Sequence, residues 1–364
     1  DNDRPGVMLA GSMRTYANRW AATPARMVAI FTNNDDGHRT AVDLIAKGVD
    51  VTAIVDSRLD APTLTDVRLI SGAHVIGTKG RHGLSSIRVR QADGREETLA
   101  CGALGVSGGW NPNVHLTCHQ GGRPVWNESI AAFVPGQNIP VGMLVAGAAK
   151  GLFSTEDALR SGAEEAVAAL ESLGIAASAL KLPRAVNSAY NLQPLYHVPH
   201  GKGRAWLDLQ NDVTVKDVKL AHQENYRSVE HLKRYTTLGM GTDQGKTANV
   251  NALAIMAELT GKSIPETGTT IFRPPYTPVV LGTIGGRTVG KHFHPTRETP
   301  TDKWAREHNA PFDTAGDWMR ARWFPQPGET HWRQSADREA CNVRKNVGIC
   351  DVTTLGKIDV QGAD

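Results

Sequence analysis

Three stretches of this chain bring together residue types that could do chemistry. Between Val229 and Asn249 the spacing predicts a helix, a glycine turn at Gly239-Met240-Gly241, and Gly245-Lys246-Thr247 opening a second helix. Backbone N–H groups at a helix start, with a lysine beside them, suit a phosphate. The same outline suits a loop that carries the ligands of an iron–sulfur cluster. A second stretch, Thr32-Asn33-Asn34-Asp35-Asp36-Gly37, follows the apolar run Met27–Phe31 and precedes a helical pattern from His38 to Lys47. Strand-like Val51–Val55 then ends in Asp56, which completes the outline of a βαβ nucleotide-binding unit. The third, Gly147-Ala148-Ala149-Lys150-Gly151, is a small-residue turn after the apolar Met143–Ala146, and such turns let a ligand approach the backbone.

Counting narrows the choices. A P-loop needs G-x-x-x-x-G-K-S/T after a strand, but Met240 stands where the first glycine belongs, and the preceding segment reads as a helix. In the βαβ turn, Asn and Asp occupy positions where a dinucleotide fingerprint has glycine, and the carboxylates of Asp35 and Asp36 would repel a phosphate. The expectation is a βαβ unit that keeps its fold without its ligand. Cys118-His119 has no nearby orienting acid and reads as structural, and His292-Phe293-His294 has no assignable metal-ligand partners and reads as a surface linker.

The elements that must position these residues follow from patterning. At 364 residues the chain is long enough for two or three domains. A net charge of +3 gives no electrostatic support for nucleic-acid or membrane-surface binding. No apolar run reaches the ~18 residues of a membrane span. Four scattered cysteines, with no CxxC, suit a reducing cytoplasmic setting. His74–Arg90 and Arg95–Cys101 alternate like strands around an Ala92-Asp93-Gly94 turn, and Ala103–Val106 reads as another strand. Met143–Ala146 reads as a strand before a helix capped by Ser154 or Thr155. Thr214 with Asp217 resembles a capping box, Gly239 is expected just past the helix that Ser228 caps, and Ala248–Leu259 is expected to be a helix stopped by Gly261. Towards the carboxy end, Glu339–Val347 reads as a helix and Gly348–Val360 as strand material. The chain starts at Asp1 without a methionine, and an internal piece of a longer polypeptide is expected.

Asp208-Leu209-Gln210 before Val213-Thr214, with Leu238-Gly239-Met240-Gly241-Thr242-Asp243-Gln244-Gly245-Lys246 after it, resembles the bacterioferritin-associated-ferredoxin type of 2Fe–2S domain. That family's four cysteine positions fall here on Asp208, Gln210, Asp243 and Ala248, so the resemblance implies a kept scaffold and no iron–sulfur cluster. The run from Glu339 to Asp364 is similar to the start of the glycine-cleavage aminomethyltransferase fold. Together with the domain order, these segments resemble the alpha subunit of heterotetrameric sarcosine oxidase over essentially the whole chain.

The resemblance implies an α/β plus α+β architecture. Its parts are a partial Rossmann-like two-dinucleotide-binding reductase domain over 1–173 with an inserted βαβ subdomain at about 25–105, and a linker at 174–202. A small helical, cluster-free ferredoxin-like domain follows at 203–285, then a linker and Trp-rich segment at 286–330, and the start of a folate-binding domain at 331–364. It implies oxidative demethylation of sarcosine to glycine with hydrogen peroxide, the methyl carbon leaving as 5,10-methylenetetrahydrofolate or formaldehyde. Ala148, Phe153 and Thr155 are expected to contact NAD, the rest of whose pocket lies outside this chain. Gly241, Gly245, Lys246 and Thr247 are expected to line FMN at the boundary with a beta subunit that carries FAD and covalent FMN, alongside gamma and delta subunits. Tetrahydrofolate is expected beyond Asp364, and no catalytic residue within the chain. A related amine or opine dehydrogenase subunit and a non-catalytic scaffold are the competing readings.

Overall fold

The computed structural model describes residues 1–63, 66–178, 180–185, 187–287, 290 and 295–362, so the His292-Phe293-His294 triplet lies outside the described residues. Two compact units are present, Asp1–Pro278 and Val279–Asp364. Among the described residues no helix is long and apolar enough to cross a membrane.

The first unit begins with β1 (Val7–Leu9), α1 (Ala10–Trp20), β2 (Met27–Thr32), α2 (Asp35–Ala46), β3 (Asp50–Asp56) and β4 (Leu69–Ser71). A meander β5 (His74–Lys79), β6 (Ser86–Arg90) and β7 (Glu96–Ala100) leads to β8 (Ala103–Ser107). The parallel sheet has the order β1-β8-β2-β3-β4, and the meander forms a separate antiparallel sheet. Alternation along β2 explains the layering. Val28 and Ile30 pack with Met13, Ala41 and Leu44 of the helices, whereas Ala29 packs with Ile87, Val89 and Leu99 of the meander. In β3 a register shift between Val28 and Ala29 of its partner leaves Thr52 extra, which keeps Ile54 on the helix face and Ala53 and Val55 on the meander face.

Beyond β8 come α3 (His115–Cys118), a hairpin of β9 (Val125–Asn127) and β10 (Ala132–Val134), a 3-10 turn Gly147–Lys150, and α4 (Thr155–Ser172). Ser154 caps α4 by accepting from the Asp157 N–H at 3.0 Å. The expected strand Met143–Ala146 is not one, and Leu144 is largely exposed. Among the described residues it pairs with no strand, and an apolar run without a ladder partner does not form a sheet. The 174–202 stretch has no helix or strand among its described residues, yet Leu192 forms an antiparallel bridge with Asn34.

The helical module contains β11 (Trp206–Asp208), β12 (Val213–Thr214), α5 (Val215–Gln223), α6 (Val229–Thr236) and α7 (Asn249–Thr260) around Val218, Leu232, Leu238, Ala252 and Met256. The Thr214–Asp217 capping box is formed. Two expectations change. α6 stops at Thr236 with Thr237 in the left-handed region at φ 62°, because the Gly239 N–H is drawn to Asp208 and cannot close the helix. Gly245-Lys246-Thr247 does not open α7, which starts at Asn249 with no side-chain cap; Gly245, at φ 74°, packs against Gly239 and holds a turn there.

Past α7 lies the short α8 (Ile264–Thr267). The second unit holds α9 (Leu281–Gly285), α10 (Asp302–Glu307), an antiparallel pair β13 (Phe312–Ala315) and β14 (Trp318–Ala321), and α11 (Trp332–Lys345). The last helix starts seven residues before the expected Glu339, on a His331–Gln334 capping box. Gly348–Val360 takes no strand, since an isolated extended segment leaves its own N–H and C=O groups without a ladder partner.

Candidate functional site

The parallel sheet changes direction between β2 and β8, and ligands of such sheets bind outside the carboxyl ends of the strands at that point. Here that crevice is closed. Asn34 Nδ2 donates to the Ser107 carbonyl at 3.1 Å, Ser107 Oγ donates to Asn34 Oδ1 at 3.1 Å, and Asn34 Oδ1 caps α2 by accepting from the Asp36 N–H at 2.9 Å. Gly37 keeps one fingerprint role: a Cβ there would lie 2.4 Å from the Thr32 side chain, so α2 packs on β2 at glycine distance.

Asp56, fully buried at the end of β3, occupies the position of a ribose-binding acid but faces inward. Its Oδ2 is 2.7 Å from His38 Nε2 and accepts from Arg58 Nη2 at 2.8 Å, while Arg58 Nη1 donates to Asp35 at 2.7 Å. Burial pushes the Asp56 carboxyl up, but the hydrogen bonds from His38 and Arg58 outweigh it and hold it below the usual carboxylate range. Both carboxylates are therefore internal partners of Arg58.

Of the residues expected to meet NAD, Ala148 and Thr155 are exposed and Phe153 is half-buried, and all three fall on the turn that enters α4. The Phe153 ring packs on Tyr190 with centroids 4.8 Å apart. Cys118 behaves as a structural residue: its thiol donates to the Val114 carbonyl at 3.3 Å, and burial pushes its pKa up.

The helical module places Asp208 and Gln210 against the 239–243 loop. One Asp208 oxygen accepts from the Gln210 and Asn211 N–H groups at 2.9 and 3.0 Å, and the other from the Gly239 N–H at 2.8 Å and Asn211 Nδ2 at 3.1 Å. Gln210 Oε1 accepts from the Asp243 N–H at 3.0 Å, and its Nε2 donates to Thr242 Oγ1 at 2.9 Å. Ala248 is fully buried in the module core. This donor set does not fit a thiolate-held cluster: the carboxylate is saturated by amides and Ala248 has no donor atom. Burial raises the Asp208 carboxyl, and the four amide hydrogen bonds more than reverse it, leaving its pKa lowered.

Lys246 does not extend from the loop towards a phosphate. Its Nζ donates to the Tyr276 carbonyl at 2.7 Å and lies 4.1 Å from the Tyr276 ring centroid, and His115 stacks on that ring at 4.3 Å. Gly241 and Thr247 are exposed and Gly245 is buried. Arg58, Tyr190, Asn191 and Tyr276 are the organising residues that the sequence reading missed. Arg58 and Asn191 are 133 positions apart, and no local motif announces such a contact.

The parallel sheet with its covering meander defines a Rossmann-like fold. L-proline dehydrogenase from P. horikoshii shares that fold at 21% identity and a TM-score of 0.55, over 77% of this chain and 54% of that one. Residues 202–287 match the sarcosine oxidase A3 domain, and residues 301–364 match the GCVT N-terminal domain. Sarcosine oxidase subunit alpha of Rhizobium meliloti (strain 1021) is 47% identical over 100% of this chain and 37% of that protein. The corresponding subunit of Corynebacterium sp. (strain P-1) is 38% identical over 100% of this chain and 40% of its own length. The chain belongs to the sarcosine oxidase alpha-subunit family, and it spans about two fifths of the length of these curated relatives.

Proposed function

We propose that this chain is part of the alpha subunit of a sarcosine-oxidising enzyme, a complex in which a beta subunit carries FAD and covalent FMN and gamma and delta subunits complete the assembly. The observation that carries this reading is the 47% identity over the full chain, which includes a helical module in which Asp208 and Gln210 make internal hydrogen bonds. In this reading the division into parts is that given by the resemblance, NAD lies against Ala148, Phe153 and Thr155, and tetrahydrofolate lies beyond Asp364. The exposed rim of Gly241, Thr242 and Thr247 forms the wall towards FMN. Lys246 positions that wall through Tyr276 rather than binding the phosphate itself. The cytoplasm is the proposed location.

The test uses the full-length alpha subunit co-produced with its partner subunits. Sarcosine-dependent hydrogen peroxide and glycine are expected, and turnover of an opine in place of sarcosine would favour the related dehydrogenase instead. Phe153→Ala should weaken NAD retention by about tenfold, equivalent to about 1.4 kcal/mol, as read from nucleotide released on denaturation. Lys246→Ala should lower flavin retention, and unchanged flavin content and turnover would remove the loop from the FMN wall.

A further inference from the structure

The closed crevice holds an occupant, and the occupant is the chain itself. Residues 190–193 lie across the carboxyl ends of β2 and β8 and meet the turn that would contact a pyrophosphate. The Gln193 N–H donates to the Asn33 carbonyl at 3.0 Å, and Leu192 bridges Asn34 in antiparallel sense. Arg58 Nη1 donates to the Asn191 carbonyl at 3.2 Å, and Asn191 Nδ2 donates to Asp35 Oδ2 at 2.9 Å. The Trp110 N–H donates to Tyr190 Oη at 2.8 Å, and the Tyr190 ring reaches Phe153. A Cβ at Gly109 would lie 3.0 Å from that hydroxyl and 3.3 Å from Leu192, so the backbone on the far side is closely fitted to the same segment. Pro194 follows directly, and the residue before a proline is biased to the extended conformation this contact uses.

We propose that residues 190–193 are a cis-acting peptide ligand of the vestigial dinucleotide crevice. The peptide replaces the nucleotide chemically. Its amide takes the Asn33 carbonyl, and Arg58, anchored by Asp56, bridges the strap carbonyl to the acid at the start of α2. Asp35 and Asp36 supply the negative charge that the α2 amino terminus would otherwise take from phosphate. The inserted domain therefore admits no free nucleotide, and it ties the segment that leads to the helical module onto the sheet. Nothing here depends on NAD at the Gly147–Thr155 turn.

Hydrogen exchange on the full-length protein in its assembly reads this directly, with NAD+ and ATP as probes. The Gln193 and Trp110 amides should exchange about tenfold or more slowly than those of Ala176 and Ser178, and added NAD+ or ATP should leave them unchanged. Tyr190→Phe, which keeps the ring against Phe153, should raise exchange at Trp110 while Gln193 stays protected. Free exchange at Gln193, or loss of its protection when either nucleotide is added, would overturn the proposal. Failure of the NAD assignment would show only in nucleotide content and leave these amides as they are.

Discussion

Asp208 shows how a single buried carboxylate can tie several chain segments together. A cluster ties several chain segments to one inorganic centre; here one carboxylate ties Gln210, Asn211 and Gly239 through charge-assisted hydrogen bonds, and neighbouring Gln210 adds Asp243 and Thr242. An amide in its place would present one acceptor oxygen and an NH2 facing other donors. Asp208→Asn should therefore lower unfolding free energy by about 1–3 kcal/mol, measured by urea denaturation, and should speed exchange of the Gly239 amide. Asp56 follows the same logic in the sheet domain, where its burial is compensated by the His38 and Arg58 side chains together with the Arg58 backbone N–H.

Among the elements, the β2–α2 contact is the most sharply specified. The fingerprint's ligand-facing glycines are gone, but Gly37 persists because helix–strand packing requires it whether or not a nucleotide binds. Gly37→Ala would force a Cβ into the Thr32 side chain and should destabilise the protein by about 1–3 kcal/mol, observable as a lowered midpoint of thermal unfolding. The α6–α7 connection behaves differently. Its glycines at 239, 241 and 245 all have positive φ, at 67°, 74° and 74°, which makes the segment a chain of turns and not a helix start. Lys246 is consequently free to fold back on Tyr276, and the loop becomes a surface held from within.

For the molecule as a whole, the buried carboxylates of Asp56 and Asp208 shape the response to acid. Asp56 and Asp208 both have folded pKa values below their ordinary ones, so each contributes stability that is fully present above about pH 4 and is lost as pH falls through the folded values. Denaturant midpoints measured from pH 7 downwards should hold to about pH 4 and then fall, and Asp208→Asn should flatten that fall. Much of the architecture was legible beforehand. The apolar run Met27–Phe31 and the Thr214–Asp217 box are local patterns, and each forms the expected element, whereas His74–Arg90, expected as one strand of a hairpin, turns at 80–85 into β5 and β6 of a three-stranded meander. The βαβ outline around the Asn33–Asp36 turn was likewise local, and it forms β2, α2 and β3. Where an expected strand failed, as at Met143–Ala146, the pattern was apolar but its partner was absent, and a ladder is a property of two segments. The sequence by itself thus determined the parallel sheet and the helical module. Only the tertiary structure decided the long-range contacts: Tyr190–Gln193 across the crevice, Arg58 between two acids, and Tyr276 over Lys246. These are contacts between residues distant in the chain, set by shape and hydrogen-bond satisfaction after folding, and no spacing rule encodes them.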